Sequence, residues 1–158
     1  MRLWFSVSVS VYLVMGLVSA KVKKNDCAKE CFGVFFKLQE IVRTEEDIRL
    51  YTPHGQTAKV CPQKTTVCFA AELHVLIFEY DGIWKENVTE LAASVIECLE
   101  HFLHNLRMPS ACGHTEPSLP TGCPMCEQFH EESVLLFLEH LKKFLQFIYY
   151  CCNICLSE

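Results

Sequence analysis

Eleven cysteines among 158 residues are the richest source of chemistry in this chain. Two of them frame the tetrapeptide Cys123-Pro124-Met125-Cys126. That spacing can serve three chemistries. A thiol pair at a helix N-terminus can exchange electrons, because the helix dipole lowers the thiol pKa. Two thiolates with His130 and a distant ligand such as Cys61 can complete a zinc tetrahedron. Alternatively, each cysteine is one half of a structural disulfide. The redox reading requires a parallel sheet around the motif, which the sequence does not predict, and both the redox and zinc readings require reduced thiols. An oxidising compartment favours disulfides over both.

The first twenty residues point to such a compartment. Met1-Arg2 supplies a short basic start, Leu3 to Val18 is almost wholly apolar or small, and Val18-Ser19-Ala20 fits a small-x-small cleavage site. Lys21-Val22-Lys23-Lys24 then ends the run. This pattern predicts a signal peptide over residues 1–20, with residues 21–158 as one secreted, extracellular domain. The competing reading is a membrane anchor, for which the run is short of the roughly 20 apolar residues that a span needs. No stable membrane insertion is expected. None of the eleven cysteines lies in the leader. Being odd in number, they cannot all pair within one chain. At least one is left as a thiol or joined to a second chain, so a monomer is expected with a disulfide-linked dimer as the alternative.

Other chemistry is not supported. The sequence lacks His-Glu-x-x-His, Gly-x-Ser-x-Gly and a phosphate-cradling glycine loop, and Cys31 and His74 belong to no recognisable triad. We expect no enzyme, no cofactor, no resident metal and no small-molecule substrate. Loss of Arg2 with the leader takes the formal charge from -5 to -6. The one basic cluster, Lys21, Lys23 and Lys24, lies at the new terminus, so nucleic acid is not an expected partner.

The elements that must position the cysteines read mainly as helices. From about Asp26, apolar residues Cys31, Val34, Phe35, Leu38, Ile41 and Val42 recur at helical spacing, with Phe36 off the stripe. Thr44 to Thr66 is a long connection, in which Thr44-Glu45-Glu46-Asp47 can cap one short turn before Pro53, Gly55 and Pro62 intervene. Val67 to Tyr80 fits a strand by its β-branched and aromatic content. Its length, and the spacing of Phe69, Leu73, Leu76, Ile77 and Tyr80, favour a helix. After the Asp81-Gly82 turn, Asn87-Val88-Thr89-Glu90 resembles a capping box. A face of Val88, Leu91, Ala92, Val95, Ile96, Leu99, Phe102 and Leu103 follows, ending by Arg107-Met108. Residues 109–123 are a loop. A final helix over 124–150 is predicted, with Phe129, Ser133, Leu136, Phe137, Leu141, Phe144, Leu145, Ile148 and Tyr149 along one broad side. Glu127, Glu131 and Glu132 at its start and Lys142 and Lys143 towards its end complement the helix dipole. The fold class is therefore all-α, a four-helix bundle. Its long connections before the second and fourth helices suit up-up-down-down crossovers better than short hairpin loops.

Two stretches carry a family resemblance. Cys61 followed by Cys68-Phe69-Ala70-Ala71-Glu72-Leu73 resembles the second-helix region of the interleukin-15 family. So does Gly122-Cys123-Pro124-Met125-Cys126-Glu127 with the downstream Phe144-Leu145-Gln146-Phe147. Leu50-Tyr51-Thr52 is similar to the family's first crossover loop. The resemblance spans most of residues 33–150, is densest over 50–80 and 122–148, and is weak over the first helix.

The resemblance implies a short-chain cytokine bundle with disulfides Cys61–Cys123 and Cys68–Cys126. It implies an alpha-receptor surface including Tyr51, Glu72 and Glu79, a common-gamma-receptor contact at Gln146, and a beta-receptor contact at Glu86. The family's other beta-chain acid falls near Gly33, where Asp26 or Glu30 would have to substitute. The implied function is a secreted immune cytokine that is presented by an alpha chain and signals through shared beta and common gamma chains to lymphoid cells. The other seven cysteines depart from the mammalian pattern and indicate a divergent member. Because the first helix of such a bundle starts near the end of the last, Cys27 or Cys31 can bridge to Cys151, Cys152 or Cys155. Cys98 can pair with Cys112 or remain a buried thiol. Asn87-Val88-Thr89 is an N-glycosylation sequon whose asparagine can instead act as a helix cap. The alternative to a cytokine is a cysteine-rich secreted helical structural or lipid-binding protein without signalling activity, its many phenylalanines lining a cavity.

Overall fold

The computed structural model describes residues 24–42, 47–80, 86–105 and 122–154. Helix α1 (Lys24–Val42) buries the stripe Cys31, Phe35, Leu38 and Val42, while Phe36 is half exposed. It begins two residues before the expected Asp26. A 3.6-residue period lets those four side chains share one face, and their burial against other helices is what holds the helix in place.

The first long connection contains more structure than its sequence predicts. Over its described part, strand β1 (Arg49–Tyr51) is followed by a short helix α2 (Gly55–Val60). Gly55 opens α2 at φ +66°, a left-handed conformation that a residue with a Cβ adopts only under strain. The chain then breaks at Cys61 and restarts as helix α3 (Pro62–Tyr80). Pro62 cannot donate into the α2 ladder but is suited to a first helical turn. Thr66 Oγ1 donates to the Pro62 carbonyl oxygen at 2.7 Å, reinforcing that turn. The predicted second helix therefore starts five residues earlier than Val67. The cap proposed at Thr44-Glu45-Glu46 lies outside the described residues.

Helix α4 (Glu86–Asn105) starts one residue before Asn87, which therefore sits inside the first turn rather than capping it. Val88, Ala92, Val95, Ile96 and Leu99 form its buried face. The helix is recorded to Asn105, short of the expected Arg107-Met108, which lie outside the described residues.

The largest departure from expectation is at residues 124–133, which are not helical throughout. A 3₁₀ turn (Cys126–Gln128) and strand β2 (Glu131–Ser133) precede helix α5 (Val134–Ile154). β2 pairs antiparallel with β1 in the register Arg49↔Ser133, Leu50↔Glu132 and Tyr51↔Glu131, and the Thr52 N–H extends the ladder to the His130 carbonyl at 3.0 Å. Extended backbone here satisfies polar groups on both segments that a helix would leave to the connection. Ser133 then ends the strand and caps the helix, its Oγ accepting the Leu136 N–H at 3.4 Å. Glu127, Glu131 and Glu132 consequently belong to the 3₁₀ turn and strand, not to a helix terminus.

The result is an all-α bundle of packed helices with long loops and, among the described residues, one small two-stranded ladder. α1 packs on α4 and α5, and α3 packs on α4. α3 also meets α5 through Phe69, whose ring lies 5.4 Å from the centroids of both Phe137 and Phe144. One core unites Phe35, Leu38, Leu50, Phe69, Leu73, Leu99, Phe137 and Leu141. Among the described residues, no helix is long and apolar enough to cross a membrane.

Candidate functional site

The site is assembled where β1, α3 and the 3₁₀ turn meet. Cys61, between α2 and α3, is joined to Cys123, and Cys68 on α3 is joined to Cys126. The bridges span separations of 62 and 58 residues and hold the paired Cα atoms 5.8 and 5.3 Å apart. These are the pairs that the family resemblance implies. Cys123 and Cys126 are thus committed to different partners, which leaves neither a dithiol for redox exchange nor thiolates for zinc with Cys61 and His130. Among the described residues, no group of three or more His, Cys, Asp or Glu side chains is arranged to hold a metal ion.

Glu72 occupies the centre of this junction. Its Oε2 accepts the backbone N–H of Tyr51 at 2.9 Å, and its Oε1 lies 3.7 Å from Cys126 Sγ, a disulfide sulfur with no proton to give. The residue is only 8% exposed. Burial pushes its pKa up, the Tyr51 N–H opposes this, and the charges of Glu127 and Glu131 add to the rise. The resemblance assigns both Glu72 and Glu79 to the alpha-receptor surface. The structure separates them: the β1 junction covers Glu72, while Glu79 is exposed.

Tyr51 faces Glu131 across the ladder. The Glu131 charge, and a hydrogen bond from the phenol to that carboxylate, hold the Tyr51 pKa above its ordinary value, with burial, Glu72 and Glu127 contributing less. The exposed Glu127 and Glu131 therefore give this surface an acidic rim around one aromatic ring. Sequence reasoning missed Glu131 as a site residue because it assigned residue 131 to a helix. The available signal was Ser133 three residues before Leu136, a helix start that makes the preceding residues free to pair.

The remaining candidate contacts lie elsewhere. Gln146 is exposed on α5 between buried Leu145 and half-buried Phe147, with Tyr150 exposed one turn later. Lys59 Nζ sits 6.0 Å from the Phe147 ring centroid. On α1, Glu30 and Gly33 are exposed, and a Cβ at Gly33 would meet no atom within 4 Å. Asn87 is exposed in the first turn of α4. The side chains of Asp26, Cys27, Glu86 and Cys152 lie outside the described residues, as do Cys112 and Cys155 entirely. Cys31 and Cys151 are both buried, at opposite ends of the chain's described length.

Three histidines also gather near the ladder, a cluster that the sequence did not signal. His54 Nδ1 is 3.0 Å from the Thr52 carbonyl oxygen, and its ring centroid lies 6.5 Å from that of His130 and 5.6 Å from that of His140. Burial lowers the His140 pKa, and Lys143 and His54 lower it further against the opposing charges of Glu132 and Glu139.

No protein-family model matches the chain, and no curated protein matches it. The geometry establishes a small, disulfide-crosslinked, all-helical protein.

Proposed function

We propose that this protein is a secreted cytokine of the interleukin-15 type, which binds an alpha-type receptor chain through the Tyr51 surface and recruits beta and common gamma chains through its helices. The observation that carries the reading is the junction where two cystines tie the start of α3 to Cys123 and the 3₁₀ turn while Glu72 and β2 hold β1 beside them. It presents Tyr51, Glu131, Glu127 and, further along α3, Glu79 from a rigid frame. An aromatic anchor among carboxylates suits a basic partner surface, where charge complementarity accelerates association.

Helix contacts and connection lengths are compatible with the cytokine topology. Phe32, midway along α1, packs its ring 5.9 Å from that of Tyr149 in the second half of α5, tying the first helix to the last. α1 also packs along α4. α3 and α4 are joined by a short connection that suits antiparallel neighbours. The long connections before α3 and α5 suit up-up-down-down crossovers. Gln146, whose amide can donate and accept, remains the candidate common gamma contact. Glu86 remains the candidate beta contact, and Asn87 the candidate glycan site.

A non-signalling structural protein is the second reading, because a crosslinked bundle with this core needs no receptor to explain it. The lipid-carrying form of that reading gains less support: Phe69, Phe137 and Phe144 fill the core against one another. Receptor binding separates the two. A folded, disulfide-intact chain that binds a soluble alpha chain saturably is a cytokine; one that binds no alpha, beta or gamma chain is not.

A further inference from the structure

Three histidines from separate segments meet at one end of the β1–β2 ladder. His54 follows β1, His130 precedes β2, and His140 lies in the second turn of α5. The His54 ring centroid is 6.5 Å from that of His130 and 5.6 Å from that of His140. His54 and His130 are exposed and His140 is half-buried, so water reaches all three. The last ladder bond lies among them, from the Thr52 N–H to the His130 carbonyl oxygen at 3.0 Å. The carbonyl oxygen of the same Thr52 accepts a hydrogen bond from His54 Nδ1 at 3.0 Å. A carbonyl can only accept, so Nδ1 carries a proton in the neutral ring and keeps it in the imidazolium. His54 is therefore tied to the end of β1 in either charge state, and a force on its ring is passed to Thr52.

We infer that His54, His130 and His140 form a pH-sensitive latch on the β1–β2 ladder, which fixes the Tyr51 surface while they are neutral and loosens it when they charge. Loosening of the ladder follows from the cluster alone. Its consequence, weaker alpha-chain binding in mildly acidic solution, rests on the proposed receptor role of Tyr51.

The surrounding charges set the direction. Histidine is the side chain that ordinarily changes charge between about pH 5 and 8. Once His54 is charged, a second charge on His130 or His140 is repelled, and the repulsion pulls on the Thr52–His130 bond. Burial, Lys143 and His54 resist protonation of His140, while Glu132 on β2 and Glu139 on α5 favour it. Glu139 is already engaged by Lys142 at 2.8 Å and by Lys143 at 3.8 Å, which leaves Glu132 as the main counter-charge. The other ionisable groups of the neighbouring elements have partners of their own. Glu127, Glu131 and Glu72 act on Tyr51, Arg49 lies opposite Ser133 at the far end of the ladder, and Lys59 on α2 sits over the Phe147 ring. Two unit charges at this spacing near a protein surface shift an equilibrium by about threefold to tenfold, and salt weakens the effect.

The test is amide hydrogen exchange of the full, correctly bridged chain between about pH 7.5 and 5, with each rate divided by its unstructured rate at the same pH. Protection of the Thr52 N–H should fall about threefold to tenfold across that range, less at high salt, and should stay level in a double variant, His54→Asn with His140→Gln. Thr52 protection that does not change with pH in the parent would overturn the inference, whether or not the variant folds. An equal fall in the double variant would overturn it too, by assigning the loss to the carboxylates around Tyr51. Binding to a soluble alpha chain, measured over the same range, separates the two readings. A latch that opens in a protein that binds no alpha chain at any pH leaves the latch standing and removes the receptor role. Alpha-chain binding at neutral pH with flat Thr52 protection does the reverse.

Discussion

Glu72 on α3 accepts the backbone N–H of Tyr51 on β1 at 2.9 Å, across 21 residues of sequence. The bond makes a buried carboxylate the strut that fixes the crossover strand, so Glu72 acts on the candidate receptor surface by holding Tyr51 in place. Glu72→Ala leaves that N–H without its acceptor and is expected to cost about 1–3 kcal/mol in urea denaturation. Glu72→Gln keeps an acceptor oxygen and is expected to cost less. Because burial raises the Glu72 pKa, the native state holds its proton more tightly than the unfolded chain. Its contribution to stability is full below the ordinary glutamate value of 4.5 and declines as pH rises through the native pKa. The glutamine variant should lose that decline; an unchanged pH profile would assign the dependence to another group.

His140 gives the opposite slope. Its native pKa is depressed below 6.5, so the unfolded chain binds the proton more readily. Stability should therefore fall as pH drops through the window beneath 6.5, with His54 and Lys143 repelling the new charge and Glu132 and Glu139 partly offsetting it. Thermal melts of His140→Gln against the parent between neutral and mildly acidic pH should show a flatter dependence in the variant. Parallel profiles would remove His140 from the account.

Phe69 joins α3 to α5 by touching both Phe137 and Phe144. Truncation to alanine should cost about 3–5 kcal/mol, the range for deleting a buried aromatic ring. A loss under about 1 kcal/mol would mean that the rings can collapse into the space, which close packing opposes.

The exposed position Gly33 lies inside α1 with open space around it. Gly33→Ala should stabilise the protein by about 0.5–1 kcal/mol, since glycine is the costlier residue in a helix interior. If α1 also carries the beta-chain contact, Gly33→Asp should strengthen beta-chain binding without altering alpha-chain binding. Surface plasmon resonance on both chains would measure this, and equal effects on the two would argue against a beta-specific role.

The parts of the fold that the sequence made legible are those with sustained helical period. The α1 stripe of Cys31, Phe35, Leu38 and Val42 and the α4 face of Val88, Ala92, Val95 and Leu99 were readable because each buries a single face. Arg49-Leu50-Tyr51 was not readable as a strand. Three residues carry too little alternation, and what makes them extended is a partner eighty residues away. The same partner unmade the predicted helix at 124–133: the glutamates there suit a helix start, but tertiary pairing to β1 overrode local preference. Glu72 and Glu79 were correctly placed seven residues apart on a helix, yet periodicity cannot tell that β1 would cover one and leave the other exposed. The cysteine pairs came from resemblance, since spacing alone permits many connectivities.

One substitution separates the proposed receptor surface from the stability core. Glu79→Lys, at an exposed position, should slow alpha-chain association and reverse part of its salt dependence while leaving the melting temperature unchanged. Gln146→Glu should spare alpha-chain binding and reduce recruitment of the common gamma chain.

The most direct measurement is binding of secreted, correctly bridged residues 21–158 to a soluble interleukin-15 receptor alpha chain from the same species, before and after reduction. Saturable binding that is lost when Cys61–Cys123 and Cys68–Cys126 are reduced is the predicted result. Absence of binding by protein with both bridges intact would contradict the proposed recognition surface and favour the non-signalling bundle.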